Sequence, residues 1–207
     1  MSTDPTRALA QFFGGRVCLD FANTMDWRTS AAPQELVPDY ATLLKWSKLR
    51  GTLPAQSVAR LRARAAKAAS DAASVLQQAR ALRAEIWQAA EALRRGEPVE
   101  LRPINRRLAG LPAQPPLVRA GAGYLYDLPG KVLEEPLWPV LWSLSALLAS
   151  EDAARIGSCE AQGCGWFFVD ASPNRSRHWC SSEICGNRER ARRAYAKRRS
   201  LLDASES

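Results

Sequence analysis

A mainly α-helical chain with a small β-hairpin is the fold that the sequence predicts. It divides into an α-helical region over residues 1–155 and a small cysteine-rich module over residues 156–207. Three observations predict this. Through most of the first 150 residues, apolar side chains recur at helical spacing between Gly and Pro breaks. From Gln56 to Arg95, Val58, Ala65, Ala72, Ala79, Ile86 and Leu93 stand seven residues apart. Four of the five cysteines fall between residues 159 and 185, and a run of arginines follows.

The elements follow in order. GGRVCLDFANTMDW places Val17, Cys18, Phe21, Ala22 and Met25 on one face of a first helix, with Cys18 a core residue. Asp20 and Asn23, three apart, share a face and stand close to Trp27 and Arg28. Two readings fit these four residues: they line a pocket for a small polar effector, or they bond to neighbouring loops and the helix end. Pro38 to Leu49 predicts a second helix that stops at Gly51. The Ala-rich stretch is one long helix, or two with a joint near Ser70-Asp71. Its small-residue seam suits packing inside a helical region better than a free coiled coil, although it also offers a homodimer contact. A short helix over 99–108, a loop over 108–116 and a hairpin from Leu117-Val118-Arg119 and Tyr124-Leu125-Tyr126 come next. LWPVLWSLSALLA, 137–149, is apolar but well short of the roughly 20 residues that cross a bilayer, so it is a buried helix.

The cysteines read Cys159-x4-Cys164-x15-Cys180-x4-Cys185. The N-terminal residues have no apolar stretch of signal-peptide length, which points to the cytoplasm, where thiols stay reduced. Two close pairs of reduced thiols suit one tetrahedral Zn²⁺, while four sulfurs also suit an iron–sulfur cluster, which fits a small basic module less well. WFFVD, 166–170, is a short strand whose aromatic residues serve the core or stack on bases. PNRS is a turn, and Ser181 or Ser182 caps a helix from Glu183 to Leu202. A knuckle, a strand or hairpin and a helix carrying the last ligand make a treble-clef-like layout.

Charge gathers on that module. The chain carries a net +8, and residues 171–199 hold nine Lys/Arg against Glu183 and Glu189. A polyanion is the natural partner, and Arg suits forked contacts to phosphate or guanine. The candidates are Asn187, Arg188, Arg190, Arg192, Arg193 and Lys197. Asn187 and Arg188 either touch the nucleic acid or brace the knuckle. His178 is the sole histidine, and four thiolates leave zinc no open position, so no catalytic constellation emerges.

WCSSEICGNRERARRAY, with the upstream cysteine pair and FFVDAS, resembles the CGNR zinc finger, whose tetrad here is Cys185-Gly186-Asn187-Arg188. GGRVCLDFANTMDWR, 14–28, resembles the start of the ABATE domain, which accompanies that finger in bacterial proteins. The resemblance implies a transcription regulator with a DNA-binding finger at its C-terminus; from the residues, duplex DNA is the expected partner and no enzyme is expected. The alternative from the residues is a zinc-stabilised module that docks on protein or RNA.

Overall fold

In the computed structural model, which describes residues 5–205, Asp39 and Gly51 frame the second predicted helix. The outermost residues of the two predicted regions, 1–4 and 206–207, lie outside the described residues. Helix α3 spans Tyr40–Arg50; the Asp39 carboxylate accepts from the Thr42 N–H at 2.7 Å, and Gly51 ends the helix at φ 72°. Before it come α1 (Pro5–Leu9), α2 (Val17–Ala22) and a two-residue antiparallel pair, β1 (Met25–Asp26) with β2 (Gln34–Glu35). After it come α4 (Ala55–Lys67), α5 (Ala69–Arg95) and α6 (Arg102–Ala109).

The predicted hairpin forms as β3 (Leu117–Ala120) and β4 (Gly123–Tyr126), with Ala120 opposite Gly123 across the turn. A 3₁₀ turn over Glu135–Leu137 then leads into α7 (Trp138–Leu148). The module contributes β5 (Ile156–Ser158), antiparallel to β6 (Phe167–Val169), and ends in α8 (Asn187–Ser205). The fold is therefore mainly α with small β pairs and a treble-clef-like C-terminal module. No helix among the described residues is long and apolar enough to cross a membrane.

Two details differ from the sequence reading. The first helix stops at Ala22 instead of carrying its apolar face on to Met25. Thr24 turns its hydroxyl onto the Phe21 carbonyl at 2.7 Å, and the chain then runs extended to pair with Gln34 and Glu35. The Ala-rich stretch breaks at Ala68, at φ −138° and ψ 61°, ahead of Ser70-Asp71. Neither Gly nor Pro marks that joint, so packing decides it.

The seam of α5 is used up within this chain. Ala72, Val75, Ala79, Leu82, Ile86 and Ala89 are all buried in the core. Helix α2 lies at the centre, against α7, α5 and β6. Its Leu19 and Phe21 meet Leu43, Leu44 and Trp46 of α3, Leu82 and Ile86 of α5, and Val140 and Leu144 of α7 in one cluster. The same cluster continues into Trp166, Phe167 and Phe168 of the module. Each side chain of this size contributes roughly 1.5–3 kcal/mol by leaving water.

Two ion pairs, from Arg80 at 3.9 Å and from Arg83, fasten α5 to Glu35 of β2. The Arg83 guanidinium donates to both Glu35 oxygens and to the Thr24 hydroxyl at 2.9 Å. Arg83 is 4% exposed, so its charge depends on Glu35. Replacing Glu35 with Ala is expected to cost about 3 kcal/mol, because it strands a buried cation. Denaturant unfolding should show a lower midpoint at an unchanged slope.

Candidate metal centre and nucleic-acid helix

The four cysteines of the module converge although 26 residues separate the first from the last. Cys159 leaves β5, Cys164 sits in the turn between β5 and β6, Cys180 precedes the helical turn at Ser182–Gly186, and Cys185 lies within it. Their sulfurs all lie within 4.8 Å of one another, with Cys164 and Cys180 at 3.8 Å and Cys180 and Cys185 at 3.5 Å. A zinc ion with Zn–S bonds of about 2.3 Å sets tetrahedral edges of about 3.8 Å. All four residues are buried, and none is in a disulfide. Sharing hydrogen bonds among the four sulfurs holds the Cys164 and Cys180 thiols above their ordinary range and the Cys159 and Cys185 thiols below it. Four crowded, desolvated sulfurs ionise together only around a cation. They form the site of one structural zinc ion, whose binding energy becomes folding energy for the module.

The protein builds this site from both ends of the chain. Gly163 and Gly165, at φ 80° and 67°, let the first knuckle turn tightly around Cys164. The segment after α2 grips that knuckle. Arg28 N–H donates to the Cys164 carbonyl at 3.1 Å, and Thr29 N–H donates to Gly163 at 3.2 Å. The Arg28 guanidinium forks onto the Gly165 carbonyl at 2.9 and 2.6 Å and lies 4.3 Å over the Phe167 ring. Asn23 serves as a surrogate strand: its Oδ1 accepts from the Phe167 N–H and its Nδ2 donates to the Phe167 carbonyl, both at 2.8 Å. Asp20 accepts from Gly14 N–H at 2.8 Å and from Arg50 at 2.6 Å, and burial pushes its carboxyl up. So three of the four residues that the sequence offers as an effector pocket, Asp20, Asn23 and Arg28, have protein partners here. The fourth, Trp27, takes the left-handed conformation at φ 52° and stacks under Arg188.

Arg177 is a hub that the sequence reading counts only as charge. Its guanidinium donates to the carbonyls of Phe13, Val169, Trp179 and Cys180 and lies 4.1 Å over Phe168. Arg175 lies two residues away in the same segment, so no local signal in the sequence marks Arg177 as the hub. His178 instead faces Glu160 at the surface, at 3.0 Å.

Helix α8 divides its polar residues between the module and solvent. Ser181 caps the preceding turn by accepting from Ile184 N–H at 3.2 Å. A Cβ at Gly186 would sit 3.1 Å from the Trp179 ring, so the tetrad's glycine is set by space. Arg188 lies 4.3 Å over Trp27 and donates to the Gln162 carbonyl at 3.3 Å. Arg190 bonds Asn187 and the Ser182 carbonyl. The buried Glu189 accepts from Gln162 N–H at 3.1 Å and from Arg192 at 2.9 Å. Arg193, Lys197, Arg198 and Arg199 are exposed, and none of their side chains has a hydrogen-bond or ion-pair partner among the described residues.

Two outcomes follow from this geometry. Elemental analysis should find one zinc per chain. A strong chelator should then expose four thiols to a thiol reagent while Cys18 reacts slowly, since burial pushes that thiol up to about 12 and keeps it protonated near neutral pH. Replacing Asn23 with Leu should cost about 2–4 kcal/mol by leaving both backbone groups of Phe167 unpaired, measured by denaturant unfolding of the zinc-loaded protein.

No curated protein matches the chain. A family model, ABATE, described as "Putative stress-induced transcription regulator", matches residues 15–151. The CGNR zinc finger model matches residues 155–198, the segment that holds the thiol cluster and the first two-thirds of α8. Because the first match spans well over half of the chain, the protein belongs to the ABATE family, with a CGNR zinc finger over residues 155–198.

Proposed function

We propose that the protein is a transcription regulator that binds duplex DNA through α8. The observation that carries this reading is the helix itself: beyond Glu189 every α8 side chain described is exposed, and the helix is anchored at its base by the zinc centre. Residues 190–205 extend about 24 Å, and a helix of ordinary width fits the major groove. Arg193, Lys197, Arg198 and Arg199 supply the phosphate contacts, because no side chain among the described residues neutralises them. Arg190 and Arg192 sit closer to the knuckle, tied to Asn187 and Glu189, and reach the backbone only by exchanging partners. Asn187 and Arg188 brace the finger in this reading and leave base reading to residues further along α8.

Residues 1–155 form the regulatory part and 156–207 the DNA-binding part, acting in the cytoplasm without catalysis. A small effector or the pairing of two copies acts through the contacts that tie residues 13–30 to the finger. Docking on a protein or RNA is the second reading, favoured by Tyr195 and Leu201, apolar side chains of α8 that are 69% and 63% exposed.

Fluorescence anisotropy with duplex DNA at several salt concentrations tests the leading reading. Neutralising Arg193, Lys197, Arg198 and Arg199 to Gln should weaken binding to all sequences and lower the log–log salt slope by about 0.9 for each lost contact. Unchanged affinity, or binding that ignores salt, overturns it; a preference for single-stranded RNA installs the second reading. Arg188→Ala should lower the finger's thermal stability and leave sequence preference unaltered.

A further inference from the structure

A cleft of about 520 Å³ opens at the base of α8, between the zinc centre and the N-terminal segment. Of the four N-terminal residues offered as an effector site, only Trp27 reaches it. Its walls are mostly apolar: the indoles of Trp27 and Trp166, with Ile184 and Ala191. The volume lies in the range of small-molecule sites, which combine apolar walls with a few placed polar groups. Trp27 holds its indole there from a left-handed backbone, a conformation that a bulky residue adopts only when its surroundings impose it.

The charge of the cleft selects the ligand. Cys164, Cys180 and Cys185 line it, and four thiolates around Zn²⁺ carry a double negative charge. Two acidic side chains, Asp26 and Glu183, and two basic ones, Arg7 and Arg188, also line it and offset each other; Arg28 and Arg177, which face the centre at the Gly165 and Cys180 carbonyls, do not line the cleft, so the charge of the centre is offset from outside the cleft and not within it. Arg188 is already engaged with Trp27 and the Gln162 carbonyl. Asp26 uses one oxygen to accept from Trp27 N–H at 2.8 Å; its other oxygen accepts no hydrogen bond among the described residues. Burial raises its carboxyl above the usual range, and the Trp27 N–H and the Arg188 charge only partly offset that.

We propose that this cleft binds a small aromatic cation, its ring against Trp27, Trp166 and Ile184 and its ammonium on Asp26. An ammonium beside tryptophan faces also gains cation–π attraction. An anion meets the thiolate centre, and a neutral hydrocarbon leaves Asp26 unpaired. The site does not depend on DNA binding by α8.

Fluorine NMR titration of the full zinc-loaded chain tests this with three probes of one shape: para-fluorophenethylamine, para-fluorophenylacetate and para-fluoroethylbenzene. The amine should bind saturably and at least about 10-fold more tightly than either analogue, the scale of one charge-assisted hydrogen bond. Asp26→Asn keeps an acceptor for Trp27 N–H and should weaken the amine about 10-fold at unchanged zinc content. Ile184→Trp, at a side chain 40% exposed, should fill the cleft and abolish binding. If Asp26→Asn loses its zinc, Ile184→Trp carries the test alone. No saturable binding of the amine, equal binding of the acetate, or wild-type binding by either zinc-loaded variant overturns the proposal.

Discussion

Four thiolates around one zinc ion hold together a segment whose apolar side chains are too few to make a core alone. Within the finger, Trp166, Phe167, Phe168 and Val169 are the main large buried side chains apart from the cysteines. A domain this small needs a staple, and the metal supplies it. The centre also sets the position of α8, because Cys185 lies in the turn directly before that helix. Charge at the end of the chain is therefore presented from a fixed point.

The staple is reinforced from outside the finger. Asn23 completes the edge of β6, Arg28 fills the knuckle carbonyl at Gly165, and Gly14 accepts from Val169 N–H at 2.9 Å. Phe167 and Phe168 belong to the same apolar cluster as Leu19 and Phe21 of α2. The finger and the helical region thus share one interior, and a change in one reaches the other through packed side chains. A linker of independent domains lacks that property.

Arginine does two kinds of work here. Arg28, Arg83 and Arg177 lie among carbonyls, a carboxylate and aromatic faces, where a planar fork with several donors is irreplaceable by lysine. The arginines late in α8 face solvent. Net charge counts both kinds alike, so the +7 of residues 171–199 overstates what is available to a polyanion. The part that is available sits beyond Glu189, where the helix leaves the knuckle.

Local patterns carried much of this protein. Cysteine spacing identified the zinc centre, because two pairs of thiols with a returning loop have few other solutions. Gly51 marked the end of α3, and Gly121-Ala122-Gly123 between two apolar runs placed the hairpin, because capping and turn chemistry act over a few residues. The Ala-rich seam announced an interior helix pair. Tertiary structure alone decided the rest. The chain left its helix at Asn23 because Phe167, 144 residues away, needed a partner for both its backbone groups. The break at Ala68 has no Gly or Pro to signal it. The roles of Asp20, Arg28 and Arg177 likewise depend on carbonyls, amides and rings from distant segments, and a hydrogen bond between residues far apart leaves no periodicity or spacing in the sequence from which it can be read.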